Sequence, residues 1–179
     1  MLRRSLTSLS RGLSTYCFTT LQDLTQKQNF VRRLLSVKEA SGLTFDEIAS
    51  RLGVTNIYCA QLFYNQAQLK EETAKKLRRV VPGLSDSDLE EMGRVPLRCY
   101  PAEVLQDPTI YRFYEVITHY GMSLKAVISE KFGDGIMSAI DFNIAVDAAK
   151  DENGNNRVVV TLNGKFLPHT EHKDHLGKA

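Results

Sequence analysis

This chain has few cysteines, little net charge and no long apolar run, and each shortage removes a class of function. Its three cysteines, Cys17, Cys59 and Cys99, are odd in number and far apart. That spacing builds neither a disulfide framework nor a metal cluster, so the thiols are expected to stay reduced, as in a reducing compartment. No apolar stretch approaches the ~20 residues that a membrane span requires. Net charge is only +2. Arg3, Arg4 and Arg11 all precede the first acid, Asp23, and without them twenty basic side chains face twenty-one acidic ones. The body of the chain therefore has no electrostatic reason to bind a polyanion. What is present is a soluble composition, 42% hydrophobic and 25% charged, in 179 residues, enough for one compact domain or two small ones with a real core.

Residues 1–20 stand apart. They carry three arginines, many Ser and Thr and no acid. As a helix they would place Leu2, Leu6, Leu9 and Leu13 on one side. This is the composition of a mitochondrial transit peptide and lacks the continuous apolar segment of a secretory signal. The expectation is mitochondrial targeting; the alternative is a disordered tail on a cytoplasmic protein.

Residues 21–92 read as a helical domain. Phe30, Leu34 and Val37 recur at helical spacing up to Gly42. Thr44-Phe-Asp-Glu47 is a capping box opening a helix that buries Ile48, Ala49 and Leu52 and ends at Gly53. Further helices are expected over Asn56–Tyr64 and Glu71–Val80, and from near Ser85. Short helix, Gly, short helix is a helix-turn-helix pattern, which raises a second reading: a DNA-binding regulator with a C-terminal sensor domain. Base and phosphate contacts need Arg, Lys, Asn or Gln with basic neighbours. The candidate recognition segment and its flanks, Val54–Leu69, hold no Lys or Arg, and Ile57, Tyr58, Leu62, Phe63 and Tyr64 suit burial or a protein contact.

Residues 93–106, with two prolines, read as an extended linker whose Arg94 and Arg98 are surface charges or reach toward an anion. In the C-terminal half, residues 107–168, Asp107 is an N-cap and Pro108 the first helical residue. Gly121 is placed as a left-handed C-cap, and Ser123 as the cap of a second helix over 124–132. Gly133-Asp134-Gly135 forms a tight turn that delivers the small residues Ser138 and Ala139 in front of a strand. Ile140, Phe142, Ile144 and Val146 alternate with polar or small residues, as in a half-buried strand. A polar turn follows at Asp151–Asn156. Val158, Val160 and Leu162 alternate again, and Asn163-Gly164 is a two-residue hairpin signal. About three short strands and two helices cannot cover such a sheet, so pairing with a second copy is expected. In the tail, residues 169–179, His169, His172 and His175 are spaced by three, which makes a weak metal site conceivable. His119 is read as exposed or partly packed.

Arg112 and Glu115, three apart on one helix side, sit among Ile110, Phe113, Val116, Ile117 and Tyr120. By themselves they are a surface ion pair of small consequence or part of a site. The runs Tyr-Arg-Phe-Tyr-Glu (111–115), Lys-Phe-Gly-Asp-Gly-Ile-Met-Ser-Ala-Ile-Asp-Phe (131–142) and Thr-Leu-Asn-Gly-Lys-Phe-Leu-Pro (161–168) resemble the cyanase (cyanate hydratase, cyanate lyase) family over roughly residues 21–168. The resemblance implies an α+β fold, with a repressor-like helical bundle used for structure and assembly. It also implies a small catalytic domain that interlocks with a second subunit, dimers joined into a decamer, and sites at subunit interfaces. The implied activity is the bicarbonate-dependent decomposition of cyanate to carbon dioxide and a carbamate that yields ammonia. The family's catalytic trio falls on Arg112, Glu115 and Ser138, and the expected substrate-binding residues are Arg112, Ser138 and Ala139. No metal or organic cofactor is implied, and bicarbonate is the co-substrate. A non-catalytic assembly protein is disfavoured because the trio is complete.

Overall fold

The computed structural model describes residues 21–99 and 101–171. Among these residues, six α-helices and a one-turn helix precede two strands: α1 (Leu21–Ala40), α2 (Phe45–Leu52), α3 (Asn56–Phe63), α4 (Glu71–Val80), α5 (Asp86–Gly93), the one-turn helix (Ala102–Gln106), α6 (Pro108–Phe132), β1 (Gly135–Lys150) and β2 (Asn156–Pro168). The class is α+β, as expected. The targeting segment and His172 and His175 lie outside the described residues.

Helices α1 to α5 are cut where local chemistry cuts them. Thr44 accepts from the Glu47 N–H (3.1 Å), and the Glu47 carboxylate accepts from the Thr44 N–H (2.7 Å). Ser85 and Asp88 repeat this box at α5. Gly53 ends α2 at φ +75°, the left-handed conformation glycine adopts at no steric cost. Packed together, these helices bury Leu34, Ile48, Leu52, Leu62, Phe63 and Leu77, among others. Asp88 is buried with them; its carboxylate is answered by the Ser85 N–H (2.9 Å), the Ser85 hydroxyl (2.7 Å) and the Arg33 guanidinium. A buried charge is tolerated on those terms.

The end of α5 and the stretch after it are laid along the rest of the bundle. Leu69 N–H donates to Met92 O (2.9 Å), Gln68 Nε2 to Gly93 O (2.8 Å) and Gln66 Nε2 to Cys99 O (2.6 Å). Lys27 Nζ reaches both Asn65 O (2.8 Å) and Leu97 O. Its pKa is lowered, chiefly by burial of the ammonium.

The C-terminal half departs from expectation in three places. First, α6 runs unbroken through Gly121 and Ser123. Gly121 keeps a negative φ, and nothing in Met122–Phe132 stops a helix, so one glycine costs only about 1 kcal/mol. Second, the sheet is one antiparallel hairpin of two long strands, closed at Asp151–Asn155, and β1 begins at Gly135 directly after the turn. Third, Asn163-Gly164 is no turn: both residues lie inside β2, with Gly164 opposite Phe142.

Glu47 is held below the ordinary carboxylate range, first by the Thr44 backbone N–H and then by its hydroxyl. A depressed folded pKa adds stability above the unfolded value that is lost as pH falls through the folded one. Thr44→Ala is expected to cost about 1 kcal/mol at neutral pH. Urea unfolding followed by circular dichroism should show that gap narrowing in acid; a gap that widened in acid would contradict the role given to Glu47.

Candidate active site

Asp107 starts the helix that carries two of the expected site residues. Its carboxylate accepts from the N–H groups of Thr109 (2.8 Å) and Ile110 (3.1 Å). One turn on, the Arg112 guanidinium donates from Nη1 to Glu115 Oε2. The Arg112 side chain is 71% exposed and that of Glu115 33%, so the pair presents a guanidinium with donors to spare beside an anchored carboxylate. His119 is exposed, its ring edge-on to Tyr120.

Ser138 is placed by an irregularity in the hairpin. The ladder pairs Met137 with Phe166 and resumes at Phe142 with Gly164. Four residues of β1, Ser138 to Asp141, therefore bulge against one of β2, Lys165. The bulge folds back on Ser138: its Oγ accepts from the N–H groups of Ile140 (3.0 Å) and Asp141 (2.9 Å). Ser138 is 6% exposed, whereas Ile140 at the tip is 96% exposed. Both lone pairs of the hydroxyl are occupied, so what it can still offer is its proton. Donors onto an oxygen also polarise its O–H and strengthen it as a donor.

The chain brings Arg112 to Glu115. Among the described residues no hydrogen bond joins Ser138 to either, since the Ser138 hydroxyl bonds within its own bulge. Nor does the chain cover α6, which has no buried residue. Ala139, the fourth expected residue, is exposed and faces a groove of about 1070 Å³ between α3 and β1. Arg98 lines this groove too, while Arg94 is a surface charge paired with Glu91 (2.9 Å).

Two residues that matter here escaped the sequence reading. One is Gly164, which pairs with Phe142 at the end of the bulge. The other is Asn56, first residue of α3. Its Nδ2 donates to Val146 O (2.7 Å) and Asp46 Oδ1 (2.7 Å), and its Oδ1 accepts from Val146 N–H (3.2 Å) and Ile57 N–H (2.9 Å). All four hydrogen-bonding positions of the carboxamide are filled, and the helical bundle is thereby fixed to the edge of β1. The only hint in the sequence was a side-chain amide directly after Thr55, whose hydroxyl caps α3 by accepting from Tyr58 N–H (3.2 Å). Helix α3 is thus engaged with the hairpin within the chain.

Comparison with known proteins agrees with this architecture. Residues 102–171 match the family described as Cyanate lyase C-terminal domain. A cyanate hydratase of Phaeodactylum tricornutum is 54% identical over 151 residues, covering 84% of this chain and 78% of that protein. One from Arabidopsis thaliana is 51% identical over 148 residues, covering 83% and 88%. The crystal structure of cyanase from T. urticae superposes with a TM-score of 0.69 at 35% identity, over 79% of this chain and 98% of that one. The chain belongs to the cyanate hydratase family.

Asn56→Asp keeps the acceptor for Val146 N–H, loses the donor, and sets a second carboxylate beside Asp46. Like charges raise a carboxyl pKa, so docking should weaken at neutral pH and recover in acid. Amide hydrogen exchange at Val146, about tenfold faster in Asn56→Asp at neutral pH and close to wild type in acid, is the expected result. Unchanged protection would mean that the clasp does not hold the strand.

Proposed function

We propose that this protein is a cyanate hydratase using bicarbonate as co-substrate, with Arg112, Glu115 and Ser138 as its catalytic residues. The observation that carries the site assignment is the donor set: a guanidinium with free N–H groups and a hydroxyl left with only a proton to give. Both substrates are small anions. Bringing two unit charges to about 4 Å costs about 4 kcal/mol at an effective dielectric near 20, and fixed donors offset that cost. Arg112 is permanently charged and bonds two oxygens at once. Ser138, with Ala139 beside it, offers a directed O–H.

A bicarbonate oxygen attacks the cyanate carbon, forming a C–O bond and moving negative charge onto nitrogen, which takes up two protons, one from solvent and one from the bicarbonate hydroxyl. The bond between that oxygen and the bicarbonate carbon then breaks, releasing carbon dioxide and leaving carbamate. Protonation of carbamate at nitrogen splits it into ammonia and a second carbon dioxide. The steps balance without an oxidant or reductant. Ser138 forms no covalent bond; its work and that of Arg112 is positioning and charge stabilisation. Glu115 orients Arg112 and passes protons.

Completion of the site is assigned to further copies of the chain, dimers joined into a decamer. Eleven large apolar side chains of α6 are exposed, from Ile110 to Phe132, far more than an isolated soluble chain leaves to water. For residues 1–20 the reading is mitochondrial targeting, resting on composition.

Ammonia release from cyanate should depend on added bicarbonate, fall below detection in Arg112→Leu, and drop about 10²-fold or more in Ser138→Ala. The same preparation should sediment as an oligomer. Bicarbonate-independent release, or none from an assembled protein, would overturn the reading. Residues 1–20 fused to a fluorescent reporter should direct it to mitochondria; diffuse fluorescence would refute the targeting assignment.

A further inference from the structure

We infer that Gly164 is a positioning residue for the reaction, because the absence of a side chain there lets the β1 bulge fold and hold the Ser138 hydroxyl as a donor. An alanine Cβ at position 164 would stand inside contact distance of the Ser138 carbonyl oxygen, 2.5 Å from Met137 Cγ and 3.0 Å from Phe142 Cδ2. The methionine can swing away. The carbonyl is backbone and cannot move without moving Ser138. Glycine within a strand commonly marks such a close backbone approach.

The chain of dependence is short. Gly164 is the ladder partner of Phe142, the first residue after the bulge. It thus sets how closely β2 passes beneath residues 138–141. That closeness fixes the turn of Ser138, which places the N–H groups of Ile140 and Asp141 3.0 and 2.9 Å from its Oγ. With a methyl group at 164, the Ser138 carbonyl is pushed out and these two bonds lengthen. The hydroxyl oxygen regains a free lone pair, and its proton is no longer committed to one direction. Gly164 touches no substrate in this scheme; it acts through Ser138.

The test rests on the cyanate hydratase reading for its assay, and wild-type ammonia release checks that reading by itself. A double-mutant cycle compares wild type, Gly164→Ala, Ser138→Ala and the double variant, each confirmed as folded and assembled. A displacement of the order of 1 Å at a positioned group costs about 10²-fold. Gly164→Ala is therefore expected to lower kcat about 10²-fold in the wild-type background and less than about threefold when Ser138 is already alanine, since interactions running through one group are not additive. An equal loss in both backgrounds, or no loss in either, would overturn the inference. If Gly164→Ala does not fold, amide exchange in Ser138→Ala decides instead. Removing the hydroxyl should speed exchange at Ile140 and Asp141 while leaving Val146 unchanged. Unaltered exchange at all three would show that the bulge does not hold the hydroxyl, whatever the enzyme assay reports.

Discussion

The hydrophobic effect acts on one half of this chain. Among the described residues, every buried apolar side chain lies between Leu34 and Met92, and after Met92 the sole buried residue is Ser138. The helical bundle is therefore a folded unit in the ordinary sense, with burial offsetting the entropy of ordering. A helix of 25 residues and a hairpin of two long strands are attached to it with almost no interior of their own. Their apolar surface must be taken from water by something outside the chain. Catalytic assignment and assembly thus become one question, since Arg112 and Glu115 lie on the uncovered helix and Ser138 on the hairpin.

The interactions within the chain show how such a half is held ready. It hangs from the bundle by polar contacts: the Asn56 carboxamide on Val146, and Gln66, Gln68 and Lys27 on the connecting segment. Hydrogen bonds are directional where apolar contacts are not, so they fix the position of β1 without a core. Burial has a different effect on Cys59, whose thiol is pushed up to about 11 by desolvation. It is a packed apolar side chain in practice.

What could be read from the sequence was whatever local chemistry decides. Thr44 with Glu47, Asp107 with Pro108, and Gly53 each fix a helix end through bonds to their own neighbours, and those ends were legible. Gly121 and Asn163-Gly164 were misread because a glycine has two meanings. It can supply a left-handed turn, or it can leave room for a neighbour, and only the neighbour distinguishes them. At Gly121 the helix continues because nothing opposes it; at Gly164 the neighbour is the Ser138 carbonyl, 26 residues away in sequence. Arg112, Glu115 and Ser138 stood out through resemblance to a family. That Ser138 bonds within its own bulge and not to Arg112 or Glu115 is recorded by no local pattern.

The Asn56 clasp has a consequence for what a helix-turn-helix can be. At the head of a recognition helix an asparagine amide reads adenine, giving one hydrogen to N7 and taking one from N6. A peptide edge offers the same alternation, a carbonyl that accepts and an N–H that donates. Asn56 addresses Val146 in that way. The partner here is a strand of the same molecule. One carboxamide thus joins the helical bundle to the hairpin through a donor and an acceptor at once.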